Sequence, residues 1–134
     1  MKRLYGFALI AALFVSGLSC GGDSTGPSGP GQLKVRLTSP NSGLDSAIVF
    51  TINGPAPLTS ATAGTGLRAF QQPLGGTSTE FALVGLLTNG ATILTIGVSD
   101  MRALAQYSGS IQGVATPSYQ LRSLPGGYAL ALTR

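Results

Sequence analysis

The chain has 134 residues, of which 9 % are charged, with 20 glycines, one cysteine and no histidine. Half of the formal net charge of +4 comes from Lys2 and Arg3, and the other cations are scattered singly, which excludes the continuous basic track that nucleic-acid binding needs. The length fits one domain rather than two cores, and a chain without histidine can build neither a Ser-His nor a Cys-His dyad.

Lys2 and Arg3 head an uncharged run, Leu4 to Val15, in the manner of a secretory signal. Gly17-Leu18-Ser19 then leads into Cys20, the only thiol. This stretch resembles the signal of bacterial lipoproteins, in which residues 1–19 would be removed and Cys20 would become an N-terminus acylated on its sulfur and its amine. Gly17 departs from the family pattern, which usually has Leu, Val or Ile there. An uncleaved membrane helix and ordinary secretion with a free thiol remain alternatives. The first is disfavoured because the apolar run is shorter than the roughly 20 residues a spanning helix needs and lacks a basic stop-transfer flank. Lipidation fits an anchor well, since each buried methylene adds about 0.8 kcal/mol and two or more acyl chains hold firmly. In that family an Asp directly after the lipidated Cys marks inner-membrane retention. Here Gly21 takes that place, so an outer-membrane or cell-surface position is allowed.

Residues 20–31 form a Gly-, Ser- and Pro-rich tether with too few apolar groups to order itself, and residues 32–134 form the domain. Leu33, Val35 and Leu37 alternate with Lys34, Arg36 and Thr38, the period of a half-buried strand with a solvated basic face. Turn chemistry at Ser39 to Gly43 reverses the chain. Ala47 to Ile52 is apolar on both faces and reads as a central strand, ended by Gly54-Pro55-Ala56-Pro57. Residues 58–66 read as a surface loop, and Leu67 to Gln72 as a short strand closed by Pro73 and Gly75-Gly76.

Between Glu80 and Val98, two β-prone runs flank Asn89-Gly90, the pair that favours a two-residue hairpin turn. In that register Phe81 faces Val98, Leu83 faces Ile96 and Gly85 faces Leu94 on the core side. Ser99 and Asp100 can cap a short helical turn through Met101, Leu104 and Ala105. Tyr107 to Val114, Tyr119 to Leu124 and Tyr128 to Thr133 complete the predicted strands.

About eight short strands without a βαβ rhythm predict an all-β fold, a small antiparallel β-sandwich. With Gly54-Pro55 after the second strand, the central hairpin and the turn after Val98, residues 32–134 look like the cohesin-like or immunoglobulin-like sandwiches of bacterial surface proteins. The likeness implies a fold; the dockerin partner of cohesins is not carried over.

The domain's carboxylates are Asp45, Glu80 and Asp100, each at or near a predicted strand or turn boundary where a solvated role is the default. A glycosidase-like pair and a calcium site are both disfavoured by their wide separation. Lys34 as half of a Ser-Lys dyad has no partnering motif. Gly109 to Gly113 lacks the lysine of a phosphate loop and reads as strand glycines or a bulge. Tyr107, Tyr119 and Tyr128 would form a carbohydrate platform only on one exposed face, and alternation turns Tyr128 inward. The expectation is therefore a non-enzymatic lipoprotein without cofactor or metal, exported and held on a bacterial membrane through Cys20. It would contact an envelope protein, with a small ligand- or carbohydrate-binding module as the alternative.

Overall fold

The computed structural model describes residues 28–124 and 126–134. The expected signal sequence, Cys20 and the tether as far as residue 27 lie outside the described residues. Eight strands follow one another: β1 (Gly31–Thr38), β2 (Asp45–Asn53), β3 (Ser60–Ala63), β4 (Arg68–Gly75), β5 (Ser78–Leu87), β6 (Thr92–Val98), β7 (Ser108–Ala115) and β8 (Ala129–Thr133). They build two four-stranded antiparallel sheets, β3-β6-β1-β8 (sheet I) and β4-β5-β2-β7 (sheet II). The sheets pack face to face as a small β-sandwich.

The alternation in β1 works as its sequence implies: Leu33, Val35 and Leu37 are buried while Lys34 and Arg36 are exposed. β2 is central in its sheet, and Ile48, Phe50 and Ile52 point into the sandwich. Phe50 lies opposite Phe81 of β5 in the ladder, with ring centroids 5.6 Å apart. Such a stacked pair adds about 0.5–1.5 kcal/mol beyond the area it buries. Phe81, Leu83, Leu94, Ile96 and Val98 are fully buried, so the face expected to be the core side is the core side.

The ladder between those two runs is a different matter. β5 pairs with β2 and β4, while β6 pairs with β1 and β3, so the predicted hairpin across Asn89-Gly90 does not exist. Phe81 and Val98 enter the core from different sheets, opposite Phe50 and Gly31 in their own ladders. Asn89-Gly90 is a corner at which the chain passes from one sheet to the other, and the β1–β2 corner holds it there. Asn89 Oδ1 accepts from the Ser39 amide at 2.9 Å, and the Asn89 amide donates to Ser42 Oγ at 2.9 Å. The Gly90 amide donates to the Leu37 carbonyl at 2.7 Å, and the Arg36 guanidinium donates to the Gly90 carbonyl at 3.0 Å and 3.2 Å. Gly90 has φ +79°, the left-handed conformation the turn signal anticipates. Its setting is set by the tertiary contacts.

Two further segments differ from expectation. Ser60–Ala63, read as loop, is an edge strand that pairs with β6. Tyr119 to Leu124, read as a strand, contributes only a bridge between Leu121 and Ala115, because a tight turn at Thr116–Gln120 with Tyr119 at φ +66° precedes it. β4 continues through Pro73 to Gly75, which an edge strand tolerates since its outer amides need no partner. The capped turn forms as a 3-10 helix, Met101–Gln106, with Asp100 accepting from the Arg102 amide at 3.0 Å. Asp100 also accepts from the Gly29 amide at 3.3 Å, and the Gly29 carbonyl accepts from Met101, so the end of the expected tether is docked on this helix.

The corner makes a test of the connectivity. Asn89→Ala removes the acceptor for the Ser39 amide and should lower the unfolding free energy by about 1 kcal/mol, seen as a lower urea midpoint at unchanged slope. An unchanged midpoint would show that this side chain does not hold the corner.

Candidate functional site

Asp45 opens β2 and is fully buried, contrary to the solvated role expected of it. The reason lies far along the chain. Arg122 Nε donates to Asp45 Oδ1 at 2.7 Å, an ion pair, and the Tyr128 hydroxyl donates to Asp45 Oδ2 at 2.5 Å. Asn41 Nδ2 in turn donates to the Tyr128 hydroxyl at 2.8 Å, and Arg122 Nη2 reaches the Leu44 carbonyl at 3.4 Å. A buried carboxylate is tolerated when both oxygens are paired, and here both are.

The electrostatics follow from that geometry. The hydrogen bond to Asp45 raises the Arg122 guanidinium above its ordinary value against the opposing effect of burial. Burial, and then the hydrogen bond to Asp45, raises the Tyr128 phenol above its ordinary 10.0. With its oxygens engaged, Asp45 serves as a clamp that joins the β1–β2 turn, the segment after β7 and the entry to β8.

The other candidates are dispersed. Glu80 lies on the outer face of β5 opposite Thr51 and Gln72. Thr51 is six positions along β2 from Asp45, about 20 Å in a strand, too far for the two carboxylates to act on one bond. Asp100 caps the 3-10 helix. Among the described residues, no three His, Cys, Asp or Glu side chains group as metal ligands. Lys34 stands exposed between Thr95 and Thr133, and Gly113 sits in β7 beside the register shift at Val49/Phe50.

The tyrosines do not share a face. Tyr119 is 94 % exposed, whereas Tyr107 is 6 % exposed. A Cβ on Gly54 would lie 2.2 Å from the Tyr107 ring, so only glycine lets that ring pack there. The Tyr107 hydroxyl is buried with no hydrogen-bond partner among the described residues. Tyr128 is held inward by the clamp and borders a groove of about 480 Å³ between β7 and β8, lined also by Gly109, Ile111, Leu124, Ala129 and Leu130.

The outer faces of the two sheets differ sharply. Sheet I presents Lys34, Arg36, Thr62, Thr92, Thr95 and Thr133. In sheet II, ladder pairing aligns Val84, Ala47 and Ala115 in one row, with Leu121 continuing it through its bridge to Ala115. The next row is Phe70, Ala82, Val49 and Gly113. Phe70 is 56 % exposed, Leu86 63 % and Leu121 80 %. An apolar surface thus runs across the whole sheet, with Arg68, Glu80, Gln72 and Gln112 at its margins. Single exposed apolar side chains are ordinary on a monomer, but a contiguous and polar-rimmed patch marks a contact surface.

No protein-family model, curated protein or solved structure matches this chain. Sequence reading missed both the clamp and this face. Arg122, a lone cation between Leu121 and Leu124, was the available sign of a buried carboxylate elsewhere. The outer face was visible only as the apolar character of Ala47 and Val49 on the second side of β2.

The two inward tyrosines make opposite tests. Tyr128→Phe leaves one Asp45 oxygen buried without its donor and should cost about 1–3 kcal/mol at neutral pH. Tyr107→Phe removes an unpaired buried hydroxyl and should raise stability by about 1 kcal/mol. The clamp also has a pH signature. Because the folded-state pKa of Tyr128 lies above its unfolded value, the phenol's contribution is complete below about pH 10. It is lost as pH rises through the folded-state value. Urea midpoints measured up to about pH 11 should therefore fall at the alkaline end in the wild type, and this component of the fall should be absent in Tyr128→Phe.

Proposed function

We propose that the chain is a non-enzymatic lipoprotein, anchored through Cys20 in a bacterial envelope, whose sandwich engages a protein partner through the outer face of sheet II. The observation that carries this reading is the apolar surface from Phe70 to Leu121. Burial of apolar area is what drives most protein association, and a flat sheet face with a polar rim offers it without a cleft. The anchor rests on Lys2, Arg3, the apolar run and Cys20. Its cleavage would leave residues 21–27 as spacer before the docked segment at Gly29. The reading involves no cofactor and no nucleic acid.

A second reading, a small ligand-binding module, is favoured by the groove beside Tyr128. Its volume of about 480 Å³ lies in the range of ligand pockets, and its lining is mainly aliphatic. That lining suits an apolar ligand better than a sugar, which calls for an exposed aromatic platform.

A photo-crosslinking residue placed at Val84 on sheet II, and separately at Thr95 on sheet I, would test the two readings in intact cells. The first predicts a defined protein adduct from Val84, absent from Thr95 and lost or strongly reduced in Cys20→Ser. Equal adducts from both faces would overturn it. So would recovery of polysaccharide in place of any protein.

A further inference from the structure

We propose that the chain pairs with a second copy of itself along the free edge of β4, joining two four-stranded sheets into one eight-stranded sheet. An edge strand offers unpaired amides and carbonyls to any extended partner, and proteins normally blunt such edges. Three of the four edges in this sandwich are blunted. β3 has only four residues, and β8 lies beside β7, with the groove at Tyr128 between them. β7 is covered at one end by the bridge from Leu121 and by the Arg122 amide, which donates to the Val114 carbonyl at 2.8 Å.

β4 is different. It has eight residues, all exposed, and its register with β5 runs unbroken from Arg68 to Pro73. Among the described residues, none pairs with its outer side.

Charge identifies the occupant. Arg68 and Glu80 lie on the same outer face in the rows on either side of the Phe70 row, because Arg68 pairs with Val84 and Glu80 with Gln72. Among the described residues neither forms an ion pair, the pair there being Asp45–Arg122. Consider a two-fold axis through Phe70 that runs β4 antiparallel to its copy. Phe70 then meets its own counterpart, and Arg68 lies opposite Gln72 of the second copy. Glu80 of that copy is one strand further on, about 9.6 Å away at two strand spacings, a gap that Arg and Glu side chains close by reaching toward each other. The same contact repeats across the axis, as an isologous interface requires.

Shifting the register by two residues in either direction lengthens both separations to about 12 Å. The central register also places Pro73 opposite Leu67, outside the paired stretch, so the missing proline amide breaks no bond in it. A partner of unrelated sequence would need a matching Glu and Arg at this spacing, which the chain itself already has. This pairing goes beyond the anchored contact role and does not depend on it, because the edge is distinct from the face. Pairing also sets two apolar faces side by side in one continuous surface.

Cysteine cross-linking of the full-length protein in intact cells tests the arrangement. With Phe70→Cys, opposed β-carbons on the axis are close enough for oxidation to a disulfide or capture by a short bis-maleimide. A dimer band is expected on non-reducing gels, with none from the parent chain and none from Ser110→Cys on the opposite edge. In the Phe70→Cys background, Arg68→Glu or Glu80→Arg alone should reduce the cross-linked fraction about tenfold at limiting expression, and the two together should restore it. The double reversal controls for folding, since both residues are at the surface. Absence of a Phe70→Cys dimer overturns the proposal, as does a dimer indifferent to either reversal or an equal band from Ser110→Cys. Protein adducts at Val84 in those same cells would still support the contact role, so the two readings fail separately.

Discussion

The constraint on which this fold depends is that the chain changes sheets at nearly every connection. Only β4 and β5 are joined as a hairpin; β1, β3, β6 and β8 lie in one sheet and their chain neighbours in the other. No strand of sheet I can therefore find a ladder partner next to it in sequence. Local pairing contributes little, and the apolar layer between the sheets must hold both of them in register. Full burial of a Leu, Ile, Val or Phe side chain yields about 1.5–3 kcal/mol. The inward residues of β1, β2, β5 and β6 supply that layer almost alone. Such non-local topologies pay loop-closure entropy before the contacts that reward it, and they fold slowly for that reason.

That constraint explains which parts of the sequence were legible. Alternation in β1 and the double-sided apolar character of β2 are statements about burial, and burial is what the sandwich enforces. The inward set Phe81, Leu83, Leu94, Ile96 and Val98 was correct for the same reason. Pairing was not legible, because facing residues on a ribbon and facing residues across a core share one alternation pattern. Asn89-Gly90 satisfied the local rule for a hairpin. Its actual conformation is set by Ser39, Ser42, Leu37 and Arg36, which arrive from the other corner. β3 escaped notice because Ser60-Ala61-Thr62-Ala63 carries no large apolar residue: an edge strand with a small inward side is nearly silent in composition.

The clamp shows the same logic in polar form. A carboxylate at a strand start is ordinarily solvated, and nothing near Asp45 in sequence argues otherwise. What buries it is a pair of groups brought from 77 and 83 positions away. Both come from the segment between β7 and β8, which has no regular ladder of its own and so needs another means of attachment. The buried ion pair is a costly device, since desolvating a carboxylate offsets much of its attraction to Arg122. Its benefit is positional: one carboxylate aligns the β1–β2 turn with the entry to β8, the last strand of sheet I.

With the interior and the corners accounted for, the difference between the outer faces stands out as a feature the fold does not require. Either sheet would be adequately solvated by the Thr, Lys and Arg pattern of sheet I. β2 and β5 instead place Ala47, Val49, Ala82 and Val84 outward, where each forgoes the hydration a threonine would supply. Core packing does not ask for them, since the inward positions of those strands are already filled by Ile48, Phe50, Phe81 and Leu83. An apolar face retained on a strand whose other face completes the core is economical only if something covers it. The long bare edge of β4 adjoins that face, and Arg68 and Glu80 stand on either side of its Phe70 row. Edge and face are therefore neighbouring but separate surfaces: charge can fix a register along the one, while the other keeps its apolar area for a further contact.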